Sequence, residues 1–224
     1  MNVFLPHGGG YRNLRAYKLS EAVYDLTVVF VDRFIERGSR TKDQMVQAAR
    51  SGKQNIAEGS KASMTSKETE IKLTNVAKAS LEELLLDYED YLRQHKFQIW
   101  DKNSGRTMKL RDYLKTDHFL SSPLQHAMKM NAEEYCNLCI TLINQTTFLL
   151  ARLLVKQQEQ FLKTGGIKEQ MYKARTAYRQ TAQTTRPARP HPTGPTGPTS
   201  PTGPTSPTSP TSQTGPPLPT NQKQ

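Results

Sequence analysis

With 224 residues, the chain is long enough for one domain with a sizeable core and further appendages. Its formal net charge is +11, of which the segment from Thr181 onward carries +3 and the preceding body +8, and this excess favours polyanionic partners, chiefly nucleic acid. The most apolar run, Phe148 to Val155, is too short to cross a membrane, and no basic leader with an apolar core begins the chain, so we expect a cytoplasmic protein without a membrane partner.

The first predicted elements are an irregular arm and a long helix. Residues 1–14 form the arm, because Gly8-Gly9-Gly10 opposes a stable helix. The helix is predicted from about Arg15 to Arg37, where Gly38-Ser39 ends it. Its apolar residues repeat every three or four positions and form a stripe of Leu19, Val23, Leu26, Phe30 and Phe34.

The second predicted helix has a face of small residues and a basic face. Thr41-Lys42-Asp43-Gln44 has the form of a capping box, and Gly59 is expected to close the helix in the left-handed conformation. The opposite side carries Arg50 and Lys53. Since glycine inside a helix costs about 1 kcal/mol relative to alanine, Gly52 predicts a second helix backbone packed close by. The small and apolar stripe consists of Met45, Ala49, Gly52 and Ile56.

A polar loop at 60–65 separates this helix from the third. Thr65-Ser66-Lys67-Glu68 fits a second capping box, and the helix that follows runs to about His95. Segment 96–130 is less regular. Only Met108 to Leu114 is predicted to be helical there, and Pro123 breaks the pattern.

The last predicted elements are a long helix, a suffix and a tail. The helix runs from about Asn131 to Lys163, Gly165-Gly166 stops it, and the suffix, 164–181, is a short basic helix. The tail, 182–224, holds 12 of the 14 prolines, in Gly/Ser-Pro-Thr units. Because it lacks the apolar surface to offset its ordering entropy, we expect it to be disordered and to act as a spacer or docking strip.

No enzymatic or metal-binding pattern stands out. Cys136 and Cys139 lack the βαβ setting of a redox pair and the second ligand pair of a zinc site, so they are predicted to be buried core residues. The five histidines are scattered, and there is neither a nucleophile elbow nor a phosphate-binding loop. We expect no catalytic residue, no metal and no cofactor. One acidic cluster is interpreted as a solvated face or an oligomer contact: Glu82, Glu83, Asp87, Glu89 and Asp90.

The basic residues are better candidates for a site. If the first two helices are antiparallel, Arg33, Arg37 and Arg40 form one patch that can bind phosphates without reading sequence. Aromatic residues for base stacking are sparse near this patch, and isolated surface charges are usually only solvated. The candidate nucleic-acid-binding residues are Arg15, Arg33, Arg37, Arg40, Arg50, Lys53, Lys61 and Lys67.

Two stretches carry a resemblance to a known family. A helix ending in Asn55-Ile56-Ala57-Glu58-Gly59, a polar loop, and a helix with the stripe Ala77, Ala79, Ser80, Glu83 and Leu84 resemble a bacterial four-helix-bundle family. The family is named for the protein encoded in intervening sequences of 23S rRNA genes. It includes the accessory variability protein of diversity-generating retroelements. The similarity runs from about Arg15 to Leu154. Beyond it, Phe161 to Ile167, with Gly165 and Gly166, resembles a suffix found on a subset of members, as do Glu169, Met171, Tyr172 and Arg175.

The resemblance implies the fold, the assembly and the partners. The expected fold is all-α: an antiparallel four-helix bundle over 15–163, followed by the suffix helix and the disordered Pro/Thr/Gly/Ser tail. Members form ring-like homo-pentamers with basic surfaces, so a homo-oligomer is expected here. The retroelement member binds nucleic acid and associates with a reverse transcriptase. A reverse transcriptase or a ribosomal component is therefore a candidate partner.

Two functions from different classes follow. The first is a non-enzymatic, oligomeric nucleic-acid-binding or ribonucleoprotein accessory protein, which the charge of the body favours. The alternative is a protein–protein scaffold, in which the bundle oligomerises and the proline-rich tail, which is neutral through most of its length, binds a partner.

Overall fold

The computed structural model describes residues 10–184, with the side chains of 10–181, and within this range all regular structure is helical. The predicted all-α class is thus confirmed. Residues 1–9 of the predicted arm, and the predicted tail from residue 185 onward, lie outside the described residues. A 3₁₀ helix, Tyr11–Asn13, precedes α1 (Arg15–Phe34), α2 (Arg40–Ala62), α3 (Lys67–Gln94), α4 (Gly105–Leu114), α5 (Asp117–Ser121), α6 (Pro123–Ala127), α7 (Ala132–Thr164) and α8 (Ile167–Thr184).

The four long helices, α1, α2, α3 and α7, share one hydrophobic core. Helices α1 and α3 each pack against both α2 and α7. The apolar stripes read from the sequence face this core, because a 3–4 residue repeat places such side chains on one side of a helix. The largest fully buried side chains are Tyr88, Tyr135, Phe30, Phe119, Leu19, Leu26, Met45, Leu81, Leu84, Leu92, Leu114 and Leu138.

Two buried tyrosines tie the long helices to one another. The Tyr88 hydroxyl of α3 donates to Thr27 Oγ1 of α1 at 3.0 Å, and the Tyr135 hydroxyl of α7 donates to Leu26 O at 3.0 Å. The Phe30 ring lies between them, with ring centroids 4.9 Å from Tyr88 and 5.6 Å from Tyr135. Because both hydroxyls have partners, burying these large side chains leaves no orphaned polar atom on either tyrosine. Burial raises the pKa of both hydroxyls.

Helix α2 does not end at Gly59, so the prediction of a left-handed closing glycine there is wrong. The helix continues to Ala62, and positive φ among the described residues occurs at Gly38, Lys96 and Gly165. Gly59 is buried instead, and a Cβ on it would lie 3.3 Å from the Glu70 carbonyl oxygen of α3. Glycine at this position lets the backbones of α2 and α3 approach closely.

The starts of α2 and α3 also differ from the predicted capping boxes. Ser39, not Thr41, caps α2, and its Oγ accepts from the Thr41 N–H at 3.3 Å. Ser66, not Thr65, caps α3, and its Oγ accepts from the Thr69 N–H at 3.1 Å. In both places a Ser and a Thr lie within two residues of each other, and either residue type can cap a helix.

Helix α1 ends three residues earlier than predicted. Phe34 is its last residue, and Ile35 adopts an extended conformation (φ −100°, ψ 136°) with its side chain packed on the core. The chain turns at Gly38, whose φ of 88° favours glycine.

The connection between α3 and α7 contains more helix than predicted. Helix α4 starts at Gly105, where Ser104 Oγ accepts from the Thr107 N–H at 3.2 Å, rather than at Met108. Pro123 opens α6 at its first position, where the missing N–H costs nothing. Within the region described, the chain from 105 to 127 therefore forms three short helices, α4 to α6.

The ends of α7 agree with the sequence prediction. Asn131 caps the start, since its Oδ1 accepts from the Glu134 N–H at 2.9 Å and the Glu134 carboxylate accepts from the Asn131 N–H at 3.3 Å. Gly165, with φ of 73°, ends the helix. The following basic helix, α8, runs three residues beyond the predicted end at 181.

One helical segment bears on the expectation about membranes. By length and composition alone, one segment of the described residues, Ala132–Thr181, is apolar enough to cross a membrane. Half of its apolar window, 50%, is buried within the protein, as is common for the core helix of a globular domain.

Cys136 and Cys139 are free thiols buried in the core, as predicted. Burial raises the pKa of both, that of Cys139 to about 12, so almost no thiolate is present at neutral pH. We expect neither cysteine of the folded protein to react with a thiol-specific chromogenic disulfide at pH 7, whereas both react in denaturant. Absorbance measured with and without denaturant tests this. Rapid reaction of one thiol in the native protein would contradict the buried placement.

Candidate nucleic-acid interface

Arg33, one of the predicted phosphate ligands, already has partners within the protein. Its guanidinium donates to Ala127 O, at the end of α6, and to Met130 O, in the α6–α7 connection, both at 3.2 Å. The same group lies over the Phe34 ring, 4.6 Å from the centroid. Ala127 O also accepts from the Met130 N–H at 3.1 Å, so the guanidinium adds a charge-assisted hydrogen bond to an existing turn. These contacts make Arg33 a residue that holds the α6–α7 connection against α1.

Arg15, at the other end of α1, has the same kind of contact. Its Nη2 atom donates to Leu114 O at 3.2 Å and to Lys115 O at 2.7 Å, at the end of α4. A positive charge there also interacts favourably with the helix dipole. Arg15 and Arg33 are 18 residues apart, which is five turns of helix, so they project from the same side of α1. Together they fix the connection between α3 and α7 along that helix.

This structural role predicts a stability effect. We expect Arg33→Gln to lower the free energy of unfolding by about 1–2 kcal/mol, because charge-assisted hydrogen bonds to two carbonyls are lost. Thermal melting measures the change, and Arg37→Gln is the matched control, since Arg37 is exposed and lies four residues away. Equal melting temperatures for the two variants would show that the Arg33 contacts contribute nothing.

Arg37, Arg40 and Arg50 differ from Arg33 and Arg15. All three side chains are exposed, and among residues 10–184 none of them forms an ion pair. Arg37 lies in the α1–α2 connection, Arg40 is the first residue of α2, and Arg50 lies ten residues further along that helix. We call these three residues the basic ridge. At about 1.5 Å of rise per residue, it extends at least 15 Å along α2.

The basic ridge borders polar rather than apolar surface. Arg40 lines a shallow cleft of about 460 Å³ between α2 and α3. A carboxylate on each helix, Asp43 and Glu83, faces the same cleft. Because these carboxylates repel phosphates, the cleft itself is a less favourable phosphate site than the outer side of α2. The other polar side chains in the cleft are Gln44, Gln47, Ser51 and Ser80.

The three predicted lysines are each engaged with a neighbour. Lys53 Nζ lies 4.2 Å from the centroid of the Tyr24 ring, and Lys67 forms an ion pair with Glu70 at 3.0 Å. Lys61 Nζ lies 5.8 Å from the centroid of the Tyr11 ring. Such contacts hold the ammonium groups in place and partly neutralise Lys67, so these lysines are weaker candidates than the ridge arginines.

One further cation, Arg12, lies close to Lys61. Arg12 lies over the same Tyr11 ring as Lys61, 5.9 Å from the centroid. A hydrogen bond from Arg12 lowers the pKa of the Tyr11 hydroxyl. Arg12 precedes α1 and Lys61 lies in the last turn of α2. Sequence spacing could not show that these distant residues meet at one aromatic ring.

The residues of the family resemblance lie mainly in the α2–α3 contact. Asn55 Nδ2 donates to Ser51 O at 2.9 Å and to Ser51 Oγ at 3.1 Å, and Ser51 Oγ lies 2.9 Å from Ser80 Oγ of α3. Ile56 and Ala57 are buried, whereas Glu58 is exposed. Asn55, Ile56, Ala57 and Gly59 thus have a structural role, but Gly59 lies in the α2–α3 contact and does not close the helix as predicted.

The glycine pair of the suffix lies where α7 gives way to α8. Gly165 closes α7, and Gly166 is buried. A Cβ on Gly166 would lie 2.6 Å from Glu68 Oε1 near the start of α3, which is the far end of a flexible, exposed side chain.

The acidic cluster of α3, Glu82 to Asp90, makes that part of the surface unfavourable for anions. Asp87 is partly buried, and burial together with the neighbouring Glu83 and Asp90 raises its pKa. A phosphate near these carboxylates would be repelled. Among the described residues, no group of three or more His, Cys, Asp or Glu side chains could hold a metal ion.

Comparisons of the chain with protein-family models, with curated proteins and with solved structures give no match.

Proposed function

We propose that this protein is a non-enzymatic, oligomeric nucleic-acid-binding or ribonucleoprotein accessory protein. It binds phosphates through the basic ridge, Arg37, Arg40 and Arg50, without reading sequence. The observation that carries this proposal is that three guanidinium groups, one in the α1–α2 connection and two on α2, are exposed and have no ion-pair partner among residues 10–184. Arginine forks of this kind suit phosphate oxygens.

The proposal includes the arrangement of the helices and their assembly. We take α1, α2, α3 and α7 as an antiparallel four-helix bundle that forms a homo-oligomer, a pentamer by the family resemblance. Apolar side chains left exposed on the outer sides of α3 and α7 support self-association. They are Val76, Leu86, Val155 and Leu162, with exposed fractions of 45%, 62%, 55% and 83%.

The location and partners follow from the same resemblance. We propose a cytoplasmic protein that acts beside a reverse transcriptase or a ribosomal component, without a membrane, a metal or a cofactor. The burial of half of the apolar window in Ala132–Thr181 is consistent with this location.

The direct test is binding of the full chain to labelled RNA, followed by fluorescence polarisation. We expect saturable binding to two short strands of unrelated sequence, with similar affinities, since phosphate contacts carry no sequence information. A peptide nucleic acid with the same bases and an uncharged backbone is the control and should bind far more weakly. Equal binding of the uncharged strand, or no binding of RNA at low salt, would overturn the proposal.

A protein–protein scaffold is the second candidate. Helix α8 favours it, because three large side chains are exposed there: Met171, Tyr172 and Tyr178, at 54%, 73% and 75%. In this case the proline-rich tail, which lies outside the described residues, supplies a further docking strip. Sedimentation of the full chain and of a chain ending at residue 184, each with a candidate partner, separates the contributions of the tail and α8.

A further inference from the structure

A second pocket lies away from the basic ridge, between α3, α4, α7 and the segment that follows α3. Its volume is about 470 Å³, within the range of small-molecule sites. It combines aromatic, cationic and hydrogen-bonding side chains. Its lining includes Glu89, Trp100, Lys102, Arg111, Asn144, Gln145 and Phe148.

Hydrogen bonds to α7 hold the 98–100 segment, which forms the side of the pocket that contains Trp100. Asn137 Nδ2 donates to Gln98 O at 2.9 Å, and Asn137 Oδ1 accepts from the Trp100 N–H at 2.8 Å. The indole N–H donates to Glu133 Oε1 at 3.3 Å. These bonds span more than 30 residues of sequence and tie the 98–100 segment to α7, so the pocket is preformed rather than assembled by a flexible loop.

The polar groups of the pocket keep unused hydrogen-bonding capacity. Asn144 donates its amide N–H to Ile140 O at 2.9 Å, and Gln145 donates to Arg111 O at 3.3 Å, which leaves both amide oxygens as acceptors. Among residues 10–184, neither Lys102 nor Arg111 forms an ion pair. The pocket therefore offers two cations beside several acceptors, Glu89 included.

The apolar part of the pocket offers a face for a flat ring. Phe148 is 61% exposed, although it lies on a helix that is otherwise largely buried around it. The guanidinium of Arg106 lies 5.2 Å from the centre of the Trp100 ring system and covers one side of it. A large exposed phenyl group beside cations is typical of sites that stack bases and bind the adjoining phosphate.

We propose that this pocket binds an unpaired nucleobase of a single-stranded nucleic acid. Phe148 stacks on the base, the amide oxygens of Asn144 and Gln145 accept from the two N–H groups of its exocyclic amine, and Lys102 and Arg111 contact the neighbouring phosphate. Two other ligand classes fit the pocket less well. A simple anion would make no contact with the Phe148 ring, and an apolar peptide would leave Lys102 and Arg111 without partners. The inference rests on the proposed function and adds to it a base-binding site remote from the basic ridge.

The test compares two strands of equal length and charge: oligoadenylate RNA, whose bases carry the amine, and the same backbone without bases. We expect the full chain to bind oligoadenylate at least about five-fold more tightly, as one stacked base predicts. Phe148→Ala should remove this preference while leaving the affinity for the abasic strand unchanged. Met128→Ala, at an exposed apolar position that does not line the pocket, is the matched control and should keep the preference.

Two further readouts locate the base and the phosphate. Trp100 is the single tryptophan of the chain, so its fluorescence should change with oligoadenylate and with AMP, but not with ribose 5-phosphate. Arg111→Gln should weaken binding of oligoadenylate and of AMP, whereas Lys109→Gln, on the same helix but outside the pocket, should not.

The outcomes separate this inference from the proposed function. If the abasic strand and oligoadenylate bind equally to the wild-type protein, the pocket holds no base, and the basic ridge still accounts for binding. If Phe148→Ala retains the preference, the base stacks elsewhere and the inference is overturned. If oligoadenylate fails to displace bound AMP, the site belongs to a free nucleotide instead of a strand. If neither strand binds at low salt, the proposed function fails and this inference fails with it.

Discussion

Replacing Arg37, Arg40 and Arg50 together with glutamine is expected to weaken RNA binding by about 100-fold near 0.1 M salt. Each phosphate contact to a single strand contributes about 0.7 to the slope of log K against log salt. Three lost contacts therefore lower log K by about two units near 0.1 M salt. The effect should be similar for unrelated sequences, because the lost contacts are to phosphates. Polarisation titrations of the full chain measure it.

The control for this variant removes the same amount of charge elsewhere. Lys78, Arg93 and Lys115 each form an ion pair with a nearby carboxylate, at 2.6, 2.8 and 2.9 Å. Their joint replacement with glutamine also lowers the net charge by three. A cation that is partly neutralised by a carboxylate binds a phosphate more weakly than an unpaired one. We expect this variant to lose much less affinity. Equal losses in both variants would mean that binding depends on net charge and not on the basic ridge.

Gly52→Leu is expected to destabilise the protein. Gly52 is buried, and a Cβ there would lie 2.7 Å from Cγ and Cδ2 of Leu81, and 3.6 Å from the Ala77 carbonyl oxygen. Leu81 is fully buried and has no solvent-exposed space into which to move. Overpacking of this kind typically costs about 1–3 kcal/mol, which outweighs the helix-propensity gain of less than about 1 kcal/mol.

Thermal melting decides the sign of this effect. A loss of 1 kcal/mol lowers the melting temperature by about 2–4 °C in a protein of this size. Gly105→Ala is the control, since Gly105 is an exposed helical residue with nothing within 4 Å of an added Cβ, and its melting temperature should stay the same or rise. Because the neighbour of Gly52 is α3 of the same chain, light scattering should show an unchanged subunit number. A higher melting temperature for Gly52→Leu would show that the α2–α3 contact is looser than described.

The sequence predicts the long helices well because their apolar repeats extend over many turns. It predicts their ends less well, since Ser39 competes with Thr41, and Ser66 with Thr65, as the capping residue. Gly59 shows a deeper ambiguity. A glycine is compatible both with a left-handed helix end and with close packing inside a helix, and only the position of α3 distinguishes them.

The roles of the cations could not be read from the sequence. Arg15 and Arg33 look like solvent-facing members of a basic patch, but each contacts carbonyls about 100 residues away. The pocket around Trp100 likewise joins residues of α3, α4 and α7 whose sequence spacing has no recognisable pattern. The periodicity of apolar residues predicts which side of a helix is buried. The contacts of Arg15 and Arg33 and the pocket around Trp100 depend instead on how the α4–α6 connection packs against α1 and α7.

The salt dependence of RNA binding by the full chain tests the central claim most directly. Affinity for a short single strand should be measured at several KCl concentrations, for the wild-type protein and for the variant with Arg37, Arg40 and Arg50 replaced by glutamine. We predict that log K falls with log salt with a slope of at least about 2 for the wild-type protein, and that the variant loses about 2 from that slope. A wild-type affinity that does not change with salt, or identical slopes for the two proteins, would contradict phosphate binding by the basic ridge.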